Sequence, residues 1–570
     1  MKFKLTGVAI LLCCLSCVNV DPELGGNLIP ADQTYLIYPV EAPLPAGSVM
    51  MLQADSLSGY SQTRITIGAI RDDVYGLTTR SSAMTLVPVL DTLDFGNLKA
   101  VKVERFHFAA AFDTLSFSRS DQQHIIQNVR VHSLAAPMSP GRDFDINGKT
   151  VQVDYSKSIV DGNPVVSGTD SLTFDFTEEY ARRFLSITQD DLSDFGKYQK
   201  KIPGIYISTD LPMGQGGRIN MFELQVGYDS KVKYVVGNYA QLSLKCDYDY
   251  DGVAEKDTAF FFAYGLNAFS ALDSLFTVTS RGNYPEYCLN LTTQETAALA
   301  GPAADKVLIE GGGGLKPVIS ALSLKHMAED MIRSKGGVPE EAVINKATIV
   351  LPFPFPDDYR EMFKYPAVLS PTCRIRQTDT TVVFAGLTDS SSENENHGNI
   401  NRSLLCYSPD ITYHLQELLK IRETPEAGEP SNETFKRKKL FGGEYDIWLI
   451  INAMEVVESS SSSSDLDAYY QMLAYQNYYN SMYYGGYGGY GGYGYGGYGY
   501  GGYGGYGDYY SNYYTYALMS QYAQASSSGT SKSTQEMLDK DRYYCASLHG
   551  PTASDPSLRP RLELTFSLAK

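Results

Sequence analysis

The sequence predicts a mainly β chain: tandem jelly-roll-like antiparallel β-sandwich modules, a few short helices and a long disordered Tyr/Gly-rich insertion. Three observations carry that expectation. Apolar and polar residues alternate along many short runs, helical spacing is confined to three stretches, and one order of elements recurs in the two halves of the chain.

The alternation is plainest where Leu172, Phe174 and Phe176 interleave with Thr173, Asp175 and Thr177. It recurs where Phe222, Leu224, Val226 and Tyr228 interleave with Glu223, Gln225 and Gly227, and along Leu562, Leu564, Phe566 and Leu568. A period of two sets one row on a core and the other in water. The run Ile447-Trp448-Leu449-Ile450-Ile451 is apolar on both faces, which predicts a central strand with Trp448 buried. Helices are expected over 177–186, where Thr177 caps and acids fill the first turn, over 316–337, ended by Gly336-Gly337, and over 412–421.

The recurrence matches "VKVERFHFAAAF" (101–112), "LTFDFTEEYARRFL" (172–185), "KIPGIYIST" (201–209) and "GRINMFELQVGY" (217–228) with four later segments. These are "INKATIVLPFPF" (344–355), "DITYHLQELLKI" (410–421), "YDIWLIINAMEVV" (445–457) and "RPRLELTFSL" (559–568). Two related sandwiches follow, 36–235 and 304–570, joined by a hairpin-rich segment at 236–303. The second is interrupted by 459–533, which opens on six serines and contains only Gly and Tyr over 485–507. Such a segment cannot offset its ordering entropy by burial, so it is expected to be mobile. Its tyrosines leave three readings, a passive disordered loop, a sticky contact surface or a structured element.

The chain opens with Lys2 and Lys4, an apolar run from Leu5 to Leu15, then Ser16-Cys17. The run is too short to span a bilayer, which takes about 20 residues, and it reads as a lipoprotein signal (1–16) with Cys17 acylated and a tether to residue 35. Removing residues 1–16 takes away two lysines and no acid, so the formal charge moves from −18 to −20. An acidic surface argues against nucleic acid as partner. Cys246, Cys288, Cys373, Cys406 and Cys545 are odd in number and widely spaced, which suits buried small hydrophobes and leaves one or two bridges open.

Asp247, Asp249 and Asp251 before Gly252 form the sharpest metal candidate, since alternate carboxylates ahead of a glycine can converge on calcium; an acidic hairpin turn is the other reading. Gly311–Gly314 lacks the Lys-Ser/Thr of a phosphate loop and reads as a flexible strand connection. No His-Glu-x-x-His and no Gly-x-Ser-x-Gly occurs, while a spatial carboxylate pair for glycoside chemistry stays open. Seven Asp-Ser/Thr tripeptides are similar to a Bacteroidota O-glycosylation acceptor, with Ser56, Thr92, Thr114, Ser171, Thr258, Ser274 and Thr380 as acceptors.

The chain resembles Bacteroidota outer-membrane lipoproteins catalogued as domain of unknown function 4270. The resemblance rests on "DPELGGNLIP", Gly68…Asp72…Gly76, Gly204-Ile205-Tyr206-Ile207, "VLIEGGGGLKPVI", "VINKATIVLPF" and the closing "LHG…RPRLELTF". It implies an outer-membrane, often surface-exposed location, with no catalytic residues to carry over. Asp21 and Glu23 follow the anchor later than a surface-export tag usually does, which leaves the periplasmic leaflet open. The expected role is a non-enzymatic lipid-anchored protein that binds a glycan or an outer-membrane protein. The alternatives are an accessory subunit of a barrel assembly or transport complex, and a hydrolase of envelope or dietary glycans. No cofactor is expected beyond candidate calcium.

Overall fold

The computed structural model describes residues 35–569 apart from 55–56, 60–63, 89–91, 119–123, 139–145, 147–148, 150, 225, 230–233, 238, 265–287, 377–381, 392–395 and 460–530. The signal and tether, Cys17, Ser56, Ser274, Thr380 and the Tyr/Gly run therefore lie outside the described residues. The first half carries β1 (Tyr35–Pro43), β2 (Val49–Gln53), β3 (Arg64–Asp72), β4 (Gly76–Met84), β5 (Lys102–Ala110), β6 (Gln127–Leu134), β7 (Val153–Ser158), β8 (Leu172–Asp175), α1 (Glu178–Phe184), β9 (Ile205–Thr209), β10 (Gly216–Glu223), β11 (Tyr239–Cys246), β12 (Lys256–Ala263) and β13 (Cys288–Gln294). The second carries β14 (Lys306–Glu310), β15 (Leu315–Ile319), α2 (Ala321–Ser334), β16 (Val343–Pro352), β17 (Val368–Arg376), β18 (Val382–Gly386), β19 (Cys406–Tyr407), α3 (Thr412–Leu419), α4 (Ser431–Phe441), β20 (Ile447–Ser459), β21 (Ser531–Leu538), β22 (Cys545–His549) and β23 (Arg561–Ala569).

The chain is mainly β and its sheets are antiparallel, as the alternation predicts. In the first sandwich the sheet β8–β5–β11–β12 faces a sheet that runs through β6, β9, β4, β3 and β10. Phe106, Phe108, Phe174, Leu242 and Phe262 of one meet Ile65, Ile67, Val131, Ile205 and Ile207 of the other. In the second, β1–β23–β16–β19 faces β2–β15–β20–β17–β18. Leu562, Leu564, Phe566 and Ile349 meet Ile319, Leu369, Ile447 and Leu449, with Leu324 of α2 and Leu415 of α3 closing the core. Both faces of β20 are buried, since Trp448 and Ile450 pack with Val318 on the far side.

The two halves share several strand pairings, although β10 and β3 lie within the large sheet of the first sandwich while β22 and β14 form a separate two-stranded sheet. β5 lies between β8 and β11 as β16 lies between β19 and β23; β9 pairs β4 and β6 as β20 pairs β15 and β17; β10 pairs β3 as β22 pairs β14. This corrects one alignment: the counterpart of β23 is β11, not "GRINMFELQVGY", whose β10 matches β22. In sequence, 460–530 separates the short β22 from β20.

Two boundaries also differ from expectation. Residues 236–303 are not a connector, for Ala240, Leu242, Leu244, Phe260 and Phe262 of β11 and β12 belong to the first core. Strands β1 and β2 belong to the second sandwich, where β1 pairs β23 over its whole length and β2 pairs β15. The place beside β23 that β12 would fill by analogy is thus supplied from the front of the chain.

Locally, Thr177 caps α1 by accepting from Tyr180 N, and α3 forms as expected. The stretch 316–337 splits: Leu315–Ile319 is a fully buried strand, and the helix begins only after Ser320, whose hydroxyl caps Ser323 N. The alternation over 222–228 breaks after Glu223, because Val226–Asp229 turns away to pair Tyr234–Gly237. Helix α4, with weak amphipathic spacing, gave no sequence signal.

Candidate binding surface

Asp247 is spent on the backbone. In the β11–β12 turn its Oδ2 accepts from Asn97 Nδ2 and Gly252 N, both at 2.9 Å, and its Oδ1 from Asp251 N at 3.2 Å. Burial pushes its pKa up, but these hydrogen bonds outweigh it and hold the carboxyl below the ordinary range. Asp249 and Asp251 are exposed, and Asp251 Oδ1 accepts from Val253 N. Among the described residues no three His, Cys, Asp or Glu side chains gather into a metal site. Of the two expectations for this stretch, the geometry is that of an acidic hairpin turn, in which Tyr250 and Gly252 take positive φ.

Of the described glycan acceptors, Thr92, Thr114 and Ser171 are exposed, whereas Thr258 is half-buried and donates to the Lys256 carbonyl. The five cysteines are free and buried. No helix among the described residues is long and apolar enough to cross a membrane, which says nothing of strands.

A continuous strip that no motif announced covers the outer face of β6 and β9. Inward Val129, Val131, Ile205 and Ile207 fix the register, so Arg130 and His132 stand outward opposite Ser208 and Tyr206. Tyr155, 65% exposed, rises from β7 with its ring 5.3 Å from His132 and 6.1 Å from Tyr206. Burial pushes the Tyr206 hydroxyl up to about 12. Next along the strip Arg130 grips Asp210 through Nε (2.8 Å) and Nη2 (3.0 Å), and Asn128 donates to the same carboxylate at 2.8 Å. These hydrogen bonds hold Asp210 below the usual carboxylate range. At the end of the strip Asn128 pairs with Val165 and its carbonyl accepts from Asp210 N. Near it in chain or register, Ile126, Val165, Leu211 and Met213 are each at least 47% exposed.

Polar constellations also lie elsewhere among the described residues. On the outer face of β5 and β8, Asp175 accepts from Arg105 Nε at 2.8 Å and lies 2.7 Å from His107 Nδ1. Burial raises its carboxyl, and the two partners more than reverse this. A cleft of about 250 Å³ beside β16 and β23 contains Asp410 and Glu563, but Asp410 already accepts from Thr348 Oγ1 and Asn396 N, and Glu563 from Arg561. These are the nearest material for hydrolytic chemistry, and every one of these acids is engaged.

Between the sandwiches lies a buried polar joint. The Gly311–Gly314 turn, expected to be a flexible connection, wraps the Lys316 ammonium, which donates to the carbonyls of Glu310 (2.5 Å), Gly312 (3.0 Å) and Gly314 (3.1 Å). Burial pulls Lys316 down to about 7, opposed by neighbouring Glu310, whose own carboxyl burial raises. Thr78 donates to Glu310, buried Arg80 to the Lys540 carbonyl and Thr292, and Asn290 to Asp541. No family model, curated protein or solved structure matches the chain.

Proposed function

We propose that this chain is a lipid-anchored outer-membrane protein, of the kind its sequence resembles, whose first sandwich binds another envelope protein without chemistry of its own. The observation that carries the reading is four exposed large apolar side chains near Asn128 in chain or register: Ile126, Val165 on the strand that pairs with Asn128, and Leu211 and Met213 on the loop that follows Asp210. Large apolar side chains left exposed at one end of a sheet suit a partner that covers them. The neighbouring residues support it, because Tyr, Arg and Met are the types enriched in protein interfaces. The Arg130–Asp210 pair supplies an oriented polar rim. Anchoring at Cys17 would hold this surface among envelope proteins and raise its effective concentration there.

A second reading is favoured by Tyr155, whose exposed ring beside His132 and Tyr206 offers a stacking face to a sugar, with the planar Arg130–Asp210 pair further along the same strands. Affinity recovery from detergent-solubilised membranes separates the two. With Leu211→Asp and Met213→Asp together, recovery of a stoichiometric membrane protein should fall at least tenfold with unchanged melting temperature. Unchanged recovery sinks the protein-partner reading. Loss of retention on a glycan matrix in Tyr155→Ala, with protein recovery intact, would favour the sugar instead.

A further inference from the structure

The described chain begins on an apolar face of its own. Tyr35, Leu36 and Ile37 open β1, and all three are exposed, as are Val338 and Val343. Register sets Tyr35, Ile37 and Val343 on one face at this end of the sheet, with Ile37 and Val343 on the two strands that flank Ser567 and Tyr35 opposite Ala569, while Leu36, opposite Leu568, points to the other face. Gly337 packs so closely on Leu568 that a Cβ would meet its side chain at 2.5 Å, which sets Val338 at the same end of the sheet. This patch lies in the second sandwich, apart from the strip on β6 and β9. Elsewhere β1 behaves as a protected edge, with Pro39 and Pro43 removing two backbone donors, so pairing by another strand is disfavoured.

We propose that this end of the second sandwich rests in the headgroup layer of the bilayer that carries the acylated Cys17. The inference rests on the lipid-anchor reading and adds an orientation to it. Cys17 lies 18 positions before Tyr35, so the anchor and the patch can be no further apart than about 60 Å. The chain enters the fold within the patch itself, so membrane tethering delivers this end first. A tyrosine ring with its hydroxyl beside aliphatic side chains suits the boundary between acyl chains and water. Exposed Lys335, Glu340 and Glu341 flank Val338 along the chain, a mixed set of charges that matches a zwitterionic surface better than a strongly anionic one.

The test uses the full acylated chain, with Tyr35→Trp introduced, in phosphatidylcholine/phosphatidylethanolamine vesicles containing brominated lipid. Buried Trp448 serves as the unquenched baseline. Residue 35 emission should be quenched at least twofold, and Ile37→Ser with Val343→Thr should abolish the quenching while the protein still floats with the vesicles. Floating protein with unquenched residue 35 emission overturns the orientation and leaves the anchor standing. Blue-shifted emission at residue 35 without vesicles also overturns it, because another part of the chain or a second copy then covers the patch. Absence of lipid on Cys17 overturns the anchor reading and this inference with it.

Discussion

His414 is fully enclosed beside the second core, and its Nε2 donates to the Tyr445 carbonyl at 3.1 Å. Burial pulls its pKa down to about 4, from an ordinary value of 6.5. Between those values the unfolded chain binds a proton that the folded chain refuses. Stability from the neutral ring is therefore complete above pH 6.5 and is lost as the pH falls towards 4, by about 3 kcal/mol. In His414→Gln, whose amide can still donate to Tyr445, the urea midpoint should fall less steeply over that window than in the wild type; equal slopes would refute the assignment. A second residue-scale prediction concerns Gly314, where a Cβ would lie 2.3 Å from Glu310 Oε2 and 2.7 Å from Gln294 Nε2. Gly314→Ala should cost about 2–4 kcal/mol in chemical denaturation. At Gly214, where a Cβ meets nothing within 4 Å, Ala should stay within about 0.5 kcal/mol. The glycine run reads as flexible in sequence because the groups that crowd it, Arg80, Gln294 and Arg542, lie far away along the chain.

Strand positions were legible wherever one face is buried and the other wet, as in β23 and β8, because period two is a local signal. Strand partners were not, since pairing is decided by which edges remain free. β1 shows this, for nothing in 35–43 says that it belongs beside residues 561–569. The pairing does make a sharp prediction. Tyr35 lies opposite Ala569, so 35–45 moved behind residue 570 through a short turn should re-form the same ladder as a hairpin. The permuted soluble chain should melt within a few degrees of the unpermuted 35–570, whereas a chain lacking 35–45 should lose the second sandwich's transition. Equal melting of all three would mean that β1 adds nothing. The flanks of the insertion invite a similar cut. β20 and β21 pair from Asn452–Leu538 to Ser459–Ser531, so the two ends of 460–530 are already neighbours. Replacing 461–529 by a tight turn should leave the melting temperature unchanged, and a large drop would show that the segment packs on the fold.

At the scale of the whole molecule, the interaction strip and the joint share one reason for being invisible in sequence: each gathers residues from segments tens to hundreds of positions apart. Arg80 of the first sandwich meets the Lys540 and Arg542 carbonyls of the second, 460 and 462 positions away, and Tyr75 donates to the Ala546 carbonyl. Burial pulls Arg80 down while Asp541, Glu310 and Asp539 pull it back up. Removing this buried cation from one module leaves the Lys540 and Arg542 carbonyls of the other without their donor from Arg80. The two sandwiches should therefore unfold as one cooperative unit, giving a single calorimetric transition for the soluble chain. Arg80→Leu should cost about 3–5 kcal/mol and divide that transition in two. The comparison is Arg182→Leu, which removes an exposed ion pair with Glu178 inside the first sandwich, should cost about 0–1 kcal/mol, and should leave one peak. Two transitions in the wild type would show that the joint is too weak to couple the modules. One transition in Arg80→Leu, at an unchanged temperature, would show that packing of Ile70 and Tyr75 against Tyr543 carries the coupling instead.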